Sequence, residues 1–359
     1  MGEPSDPPEG TPEGAPGGGE DEYRSVVFDE SFVRAARLQE FSAQERITDH
    51  APAVRRREPV RRGRGLSRQV LVLVLLIAVA FGTAVYMGVR HPYRTSAADR
   101  PAEPLRMTVV PLAPQDEVPG TADVGQLYAH SPAARFLVGA EGVPLPPTRR
   151  TANFSDDQVV SALLTAKDYV VRSALDPAVL TGGETRDVRV LLDSGQQQQF
   201  DDSLDRPAAD GRHAVTGWLV RFDPSRVELA DERIRVRGTM QAAEADAATL
   251  EVTTDHTVVY ALRPAGTGRD AEASLFTVRR ELRFRFDRDD LRLHQAELIV
   301  SHVQAGPQSC ALDPAPRLHP LLAGQKAERT GPPGTNPYLP DTSTPPLCGT
   351  LSPAAQPTL

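Results

Sequence analysis

Apolar and polar positions along the chain follow three different rhythms, and each predicts a different kind of element. Residues Val70 to Val89 (VLVLVLLIAVAFGTAVYMGV) pass twenty positions without one charge. That is the roughly 20 residues a helix needs to cross the roughly 30 Å apolar layer of a bilayer. A helical period of three to four appears twice. Phe28, Phe32, Ala35, Leu38 and Phe41, with Val33 beside them, form an apolar stripe between Tyr23 and Ile47. Val160, Leu163, Leu164, Val170, Val171, Ala174 and Leu175 form another, opened by the capping box Ser155-Asp156-Asp157-Gln158 and closed by Asp176-Pro177. A second helix is expected from about Glu184 to Asp193, with Val188, Leu191 and Leu192 inward.

From Thr216 onward the period is two. Trp218, Val220 and Phe222 alternate with polar neighbours, as do Val227 and Leu229, and then Ile234, Val236 and Met240. The pattern continues through Leu250, Val252, Val258, Tyr260 and Leu262, and through Phe276, Val278, Leu282, Phe284 and Phe286. Asp287-Arg288-Asp289-Asp290 predicts a hairpin turn into a strand from Leu291 to Val303, whose parity shifts between Leu293 and Ala296 as at a bulge. One-faced alternation predicts an antiparallel sheet with a solvated side. Helices followed by strands predict an α+β domain of two helices packed on a curved antiparallel sheet. The arrangement expected is the cone of nuclear-transport-factor-2-like domains, preceded by a single transmembrane helix, with both chain termini disordered.

Charge and composition divide the chain further. Residues 1–22 hold seven acids and no base among glycines and prolines, and are expected to be disordered. Residues 23–47 are the amphipathic segment, and 48–69 a basic stretch beside the span at 70–89. Seven arginines lie in residues 55–69 against three in residues 90–104, so the N-terminus is expected to be cytoplasmic and the rest extracytoplasmic: a single-pass protein of the cell membrane. Residues 90–150 read as a proline-rich linker, 151–306 as the folded domain, and 307–359, with twelve prolines, as a tail. The two cysteines, Cys310 and Cys348, fall on the expected outer side, where an even count favours a disulfide.

The segment YRSVVFDESFVRAARLQEFSAQERI, followed by the basic stretch and the span, resembles the N-terminal region of a group of single-pass membrane proteins of filamentous actinobacteria associated with spore wall synthesis. The resemblance covers about residues 23–90. It implies a place in an envelope-building complex and carries over no catalytic residue.

Candidate chemistry in the domain is sparse. His256 sits in the apolar parity of its strand, and a cone could bring it to His302 with Tyr260 or Glu297, while His294 lies on the same late strand as His302. Histidines within sheets are more often satisfied core or rim residues, and Asp-rich turns more often serve local hydrogen bonds. The loop after Asp287 lacks the glycine and distal glutamate of an EF-hand, and no nucleophile elbow, zinc-protease helix or phosphate loop occurs. No catalytic residue, cofactor or metal set is therefore assigned. Arg233, Arg235 and Arg237 with Arg279, Arg283 and Arg285 occupy the non-core parity of two strands. They could form a basic plate for anionic wall polymer, with Arg235, Arg283 and Arg285 its sharpest candidates, or simply be solvated strand faces paired with Glu281, Glu251 and Glu244.

The reading that follows is a non-enzymatic, membrane-integral component of cell-envelope, or spore-wall, assembly. Phe28, Phe32, Val33, Leu38 and Phe41 would recruit envelope-assembly or cytoskeletal proteins at the cytoplasmic face, and the outer domain would contact envelope proteins or wall material, with no nucleic acid. Two alternatives stand beside it: an outer-face ligand-binding protein serving an envelope transporter, favoured by an apolar pocket around His256, and a cryptic envelope hydrolase, favoured by paired carboxylates facing a cleft.

Overall fold

The computed structural model describes residues 72–82, 102–328, 331–332, 334–339 and 347–358. The chain divides into two units, 1–80 and 81–359. The partner-binding residues Phe28, Phe32, Val33, Leu38 and Phe41 lie outside the described residues.

The apolar stretch is helical over 72–82, and its side chains from Val72 to Phe81 are exposed. At about 1.5 Å per residue that helix is roughly half as long as a bilayer's apolar layer is thick. Among the described residues no helix is long and apolar enough to cross a membrane. This overturns the single-pass anchor, and with it the cell-membrane localisation and the inside–outside orientation built on it. The remainder of 70–89 lies outside the described residues.

The larger unit is a mixed α/β body around one sheet of eight strands: β1 (Arg106–Ala113), β2 (Leu137–Val138), β3 (Val227–Leu229), β4 (Arg235–Glu244), β5 (Leu250–Pro264), β6 (Ser274–Phe286), β7 (Glu297–Gly306) and β8 (Gly349–Thr350). Their spatial order is β2-β4-β5-β6-β7-β1-β8, with β3 also pairing β5. The strands from β2 to β7 pair antiparallel, whereas β1 runs parallel to both β7 and β8. Among the described residues seven helices accompany them: α1 (Val124–Ala129), α2 (Asp156–Leu175), α3 (Pro177–Leu180), α4 (Arg186–Arg189), α5 (Gln197–Asp205), α6 (Val215–Trp218) and α7 (Arg288–Leu293).

The two-helix cone is therefore replaced by a different architecture. Strand β1 comes from the stretch read as linker, where Pro111 argues against a strand; it is sandwiched between β7 and β8. The expected helix from Glu184 to Asp193 is a single turn, α4, and the alternation at Trp218–Phe222 belongs to α6 and an irregular segment rather than to a strand. The Asp-rich turn is helix α7, capped by Asp287, whose carboxylate accepts from the amides of Asp289 and Asp290. The bulge exists but lies further along, leaving Ile299 of β7 unpaired between the Arg283–Val300 and Phe284–Leu298 pairs.

One face of the sheet is covered throughout and the other in part, with Thr239, Gln241, Thr253 and Arg283 left exposed on the expected solvated side. On one face α2, held at its start by the Ser155–Gln158 capping box, packs Ala162, Leu163, Ala166, Tyr169 and Val170 over Val252, Val258, Tyr260, Val278, Leu282 and Phe284. Tyr169 meets Phe284 edge-on at 5.3 Å, and the Tyr260 hydroxyl donates to the Ala174 carbonyl at 2.7 Å. The other face is partly closed by the proline-rich segments: Val110, Leu112, Val259, Ala261 and Leu275 lie under Leu127, Tyr128, Phe136, Tyr338 and Leu351. Cys310 and Cys348 are joined, with Cα atoms 5.8 Å apart and a sequence separation of 38, so the tail is tied to the body as expected.

Closing a loop of that length removes unfolded-state entropy worth roughly 3–4 kcal/mol. Replacing Cys310 and Cys348 together with alanine is expected to lower unfolding stability by about that amount in urea denaturation. A loss below about 1 kcal/mol would show that β8 and the second core hold the tail without the bond.

Candidate functional site

The helices and turns at one end of the sheet build a cleft of about 710 Å³. Its walls carry six carboxylates, Asp193, Asp246, Asp287, Asp289, Asp290 and Glu297, against two guanidinium groups, Arg285 and Arg292. Local structure places each of them. Asp193 follows α4, its amide bonded to the Ala296 carbonyl. Asp246 sits in the turn between β4 and β5, and the α7 capping box aims Asp287 and Asp290 at one another. Both arginines are already engaged: Arg292 pairs with Asp289, and Arg285 with Glu103 (3.1 Å), Glu251 (3.5 Å) and Glu297 (3.7 Å).

Two of these acids are almost fully buried. Burial pushes the Asp290 carboxyl up to about 8, helped by the nearby charges of Asp287, Asp193 and Glu297 and opposed by the Asp287 amide that it accepts. Glu297 is also raised, chiefly by burial, while the Glu103 amide and Arg285 pull it down. The cleft thus combines one proton-holding carboxyl, Asp290, with the Arg285–Glu297 pair and further acidic groups. No such grouping was assigned from sequence, although the four acidic and basic residues from Asp287 to Asp290 marked its location.

The strand arginines do not assemble as a plate. Arg235 donates to the Phe136 carbonyl (3.2 Å) and lies over the Tyr128 ring, and Arg237 lies 4.4 Å from the centre of the Phe136 ring. Arg279 is buried against Asp255 and Glu281, Arg233 pairs with Asp231, and Arg285 belongs to the cleft. Arg283 is exposed on β6. Covering the outer face turned these arginines into partners of the segments that cover it.

The histidines are not brought together either. His256 faces the α2 side of β5, whereas His302 pairs with Glu281 in register on the opposite face, and His294 ends α7 with its ring 3.3 Å from the Ser161 hydroxyl. Tyr260 is spent on Ala174 and Glu297 lies in the cleft. The His256 ring is buried, neither of its nitrogens has a hydrogen-bond partner, and burial pushes it down to about 4. Directly across from it in register, Arg280 is a fully buried guanidinium bonded to the Ser173 hydroxyl (2.7 Å) and to the Gly217 (3.3 Å) and Trp218 (2.7 Å) carbonyls. An arginine in the apolar parity of Val278, Leu282 and Phe284 was the signal that could have revealed it. Among the described residues no group of three or more His, Cys, Asp or Glu could hold a metal ion.

No family model, no curated protein and no solved structure matches this chain.

The buried base His256 and the buried acid Asp290 make opposite demands on pH. His256 stays neutral in the fold while the unfolded chain takes up a proton below about 6.5, so its contribution is present above that pH and lost as pH falls towards about 4. Asp290 keeps its proton in the fold to about 8, whereas the unfolded chain releases it near 3.8, so stability falls as pH rises through that window. His256→Leu is expected to flatten the acid limb of a stability–pH profile by roughly 3 kcal/mol between pH 6.5 and 4. Asp290→Asn is expected to raise the urea midpoint at pH 8 relative to pH 4. Unchanged profiles would place both groups in contact with solvent.

Proposed function

We propose that this chain is a non-enzymatic component of envelope assembly whose folded body binds a cationic segment of a partner protein in the acidic cleft. The observation that carries the reading is the excess of carboxylates over guanidinium groups in that cleft, where both arginines are already neutralised by ion pairs. A partner's arginine or lysine would meet Asp193, Asp246 and Asp287, each of which also accepts a local backbone amide, and carboxylates take guanidinium groups bidentately. The Cys310–Cys348 bond supports work in an oxidising compartment. The resemblance of the Tyr23–Ile47 segment to spore-wall-associated proteins supports the envelope.

Asp290 favours a second reading, because a carboxyl still protonated near neutrality is what a general acid of a glycan hydrolase requires. Against it, one Asp290 oxygen already accepts the Asp287 amide and Glu297 accepts the Glu103 amide, so both are committed to holding the ends of α7 and β7.

An oligo-arginine peptide titrated at low ionic strength separates these readings. Saturable binding is expected, weakened at least about tenfold by Asp193→Asn, Asp246→Asn and Asp287→Asn together and suppressed at about 0.5 M salt. Absence of binding, or binding indifferent to the triple substitution, would remove the cationic-partner reading. Release of reducing ends from wall glycan, lost in Asp290→Asn, would put the hydrolase in its place.

A further inference from the structure

On the outer face of the sheet, away from the acidic cleft, the chain holds a short turn of its own in the way a receptor holds a peptide. Residues Asn336 to Leu339 (Asn-Pro-Tyr-Leu) make a β-turn closed by the Leu339 amide on the Asn336 carbonyl at 3.1 Å. The Asn336 side chain accepts from the Tyr338 amide at 3.0 Å, and proline stands at the second position, where its fixed φ favours the turn. The conformation is therefore encoded locally.

The sheet reads this turn with side chains rather than with a strand ladder. Arg237 of β4, Thr257 of β5 and Arg279 of β6 lie side by side in register. Thr257 donates its hydroxyl to the Pro337 carbonyl at 3.0 Å, Arg237 donates to the Tyr338 carbonyl at 3.3 Å, and Arg279 donates to the Leu339 carbonyl at 2.7 Å. Three adjacent strands thus take three consecutive carbonyls. Arg279 is oriented by a two-pronged bond to Asp255, at 2.9 and 2.8 Å, and Arg237 by the ring of Phe136 beneath it. The Tyr338 side chain fills the remaining space: its ring meets Phe136 edge-on at 5.9 Å and its hydroxyl shares a hydrogen bond with Thr277 at 2.8 Å.

These contacts recognise a carbonyl triplet, an aromatic ring and its hydroxyl, and none of them requires the turn to be covalently part of the same body. A pre-folded turn also loses little entropy on docking. We propose that this groove is a recognition site for Asn-Pro-Tyr β-turns, occupied in cis by residues 336–339 and able to take the same turn from a partner chain. It is a second binding site that goes beyond the cationic-segment reading and does not depend on it. Tethering keeps the cis turn at an effective concentration of the order of millimolar, so an added peptide must compete with it.

The test uses the full chain and a fluorescent peptide of sequence Thr-Asn-Pro-Tyr-Leu, followed by anisotropy. Pro337→Gly with Tyr338→Gly empties the groove while leaving the disulfide in place, and is expected to bind the peptide at least about tenfold more tightly than the unsubstituted chain. Cys310→Ser with Cys348→Ser, whose tail loses its covalent tie, provides a second route should the first variant fail to fold, and is expected to move in the same direction. Adding Thr257→Val and Thr277→Val to either variant should weaken binding by about tenfold, since two hydrogen bonds are lost. No saturable binding to a folded variant, or binding untouched by the two valines, would overturn the proposal. Because the oligo-arginine titration reports on the cleft alone, failure of one result leaves the other standing.

Discussion

The β5–β6 ladder governs this fold because its alternate residues must satisfy two different cores. Thirteen consecutive residue pairs, from Leu250–Phe286 to Leu262–Ser274, fix which side chains face α2 and which face away. A one-residue slip would exchange the two sets and put Arg279, Glu281 and Arg283 beneath α2. With the register set, Val258, Tyr260, Val278 and Phe284 pack under α2, while Val259, Ala261 and Leu275 need another cover. The proline-rich segments supply it, and β1, β8 and the disulfide are the means by which they are held there.

That cover explains the fate of the strand arginines. A guanidinium brought under a lid of chain must find acceptors, because an unpaired buried charge costs several kcal/mol. Arg235 and Arg237 found backbone carbonyls and aromatic rings, and Arg279 found two carboxylates and a carbonyl. Arg280, on the other face, is the extreme case, stabilised by neutral dipoles from α2 and α6 in place of a carboxylate. The arginines of the sheet are thus mostly engaged by neighbouring groups, whereas carboxylates outnumber guanidinium groups at the acidic cleft.

Local signals and tertiary signals separated cleanly along the chain. The Ser155–Gln158 capping box, the limits of α2, the strands β3 to β6 and the Cys310–Cys348 pairing were legible, since capping, alternation and a lone pair of cysteines are properties of short windows or simple counts. Strand β1 was not, because its proline is tolerated only through its particular neighbours, and a parallel pairing with β7 joins residues almost two hundred positions apart. The cleft was missed for a related reason: its acids come from four separate stretches that only the closed fold brings together.

The sequence by itself therefore determined the periodicities, the helix cap and the location of every charge. It misled where a linear pattern was taken for a complete element: twenty uncharged positions read as a membrane span, of which the described helix covers only 72–82, and alternation read as a wholly wet face, of which part is covered. Only the tertiary structure decided what lies on that second face, which arginines are neutralised and that burial raises the Asp290 carboxyl. Those outcomes depend on desolvation and on partners distant in the chain, and neither is encoded in the spacing of neighbouring residues.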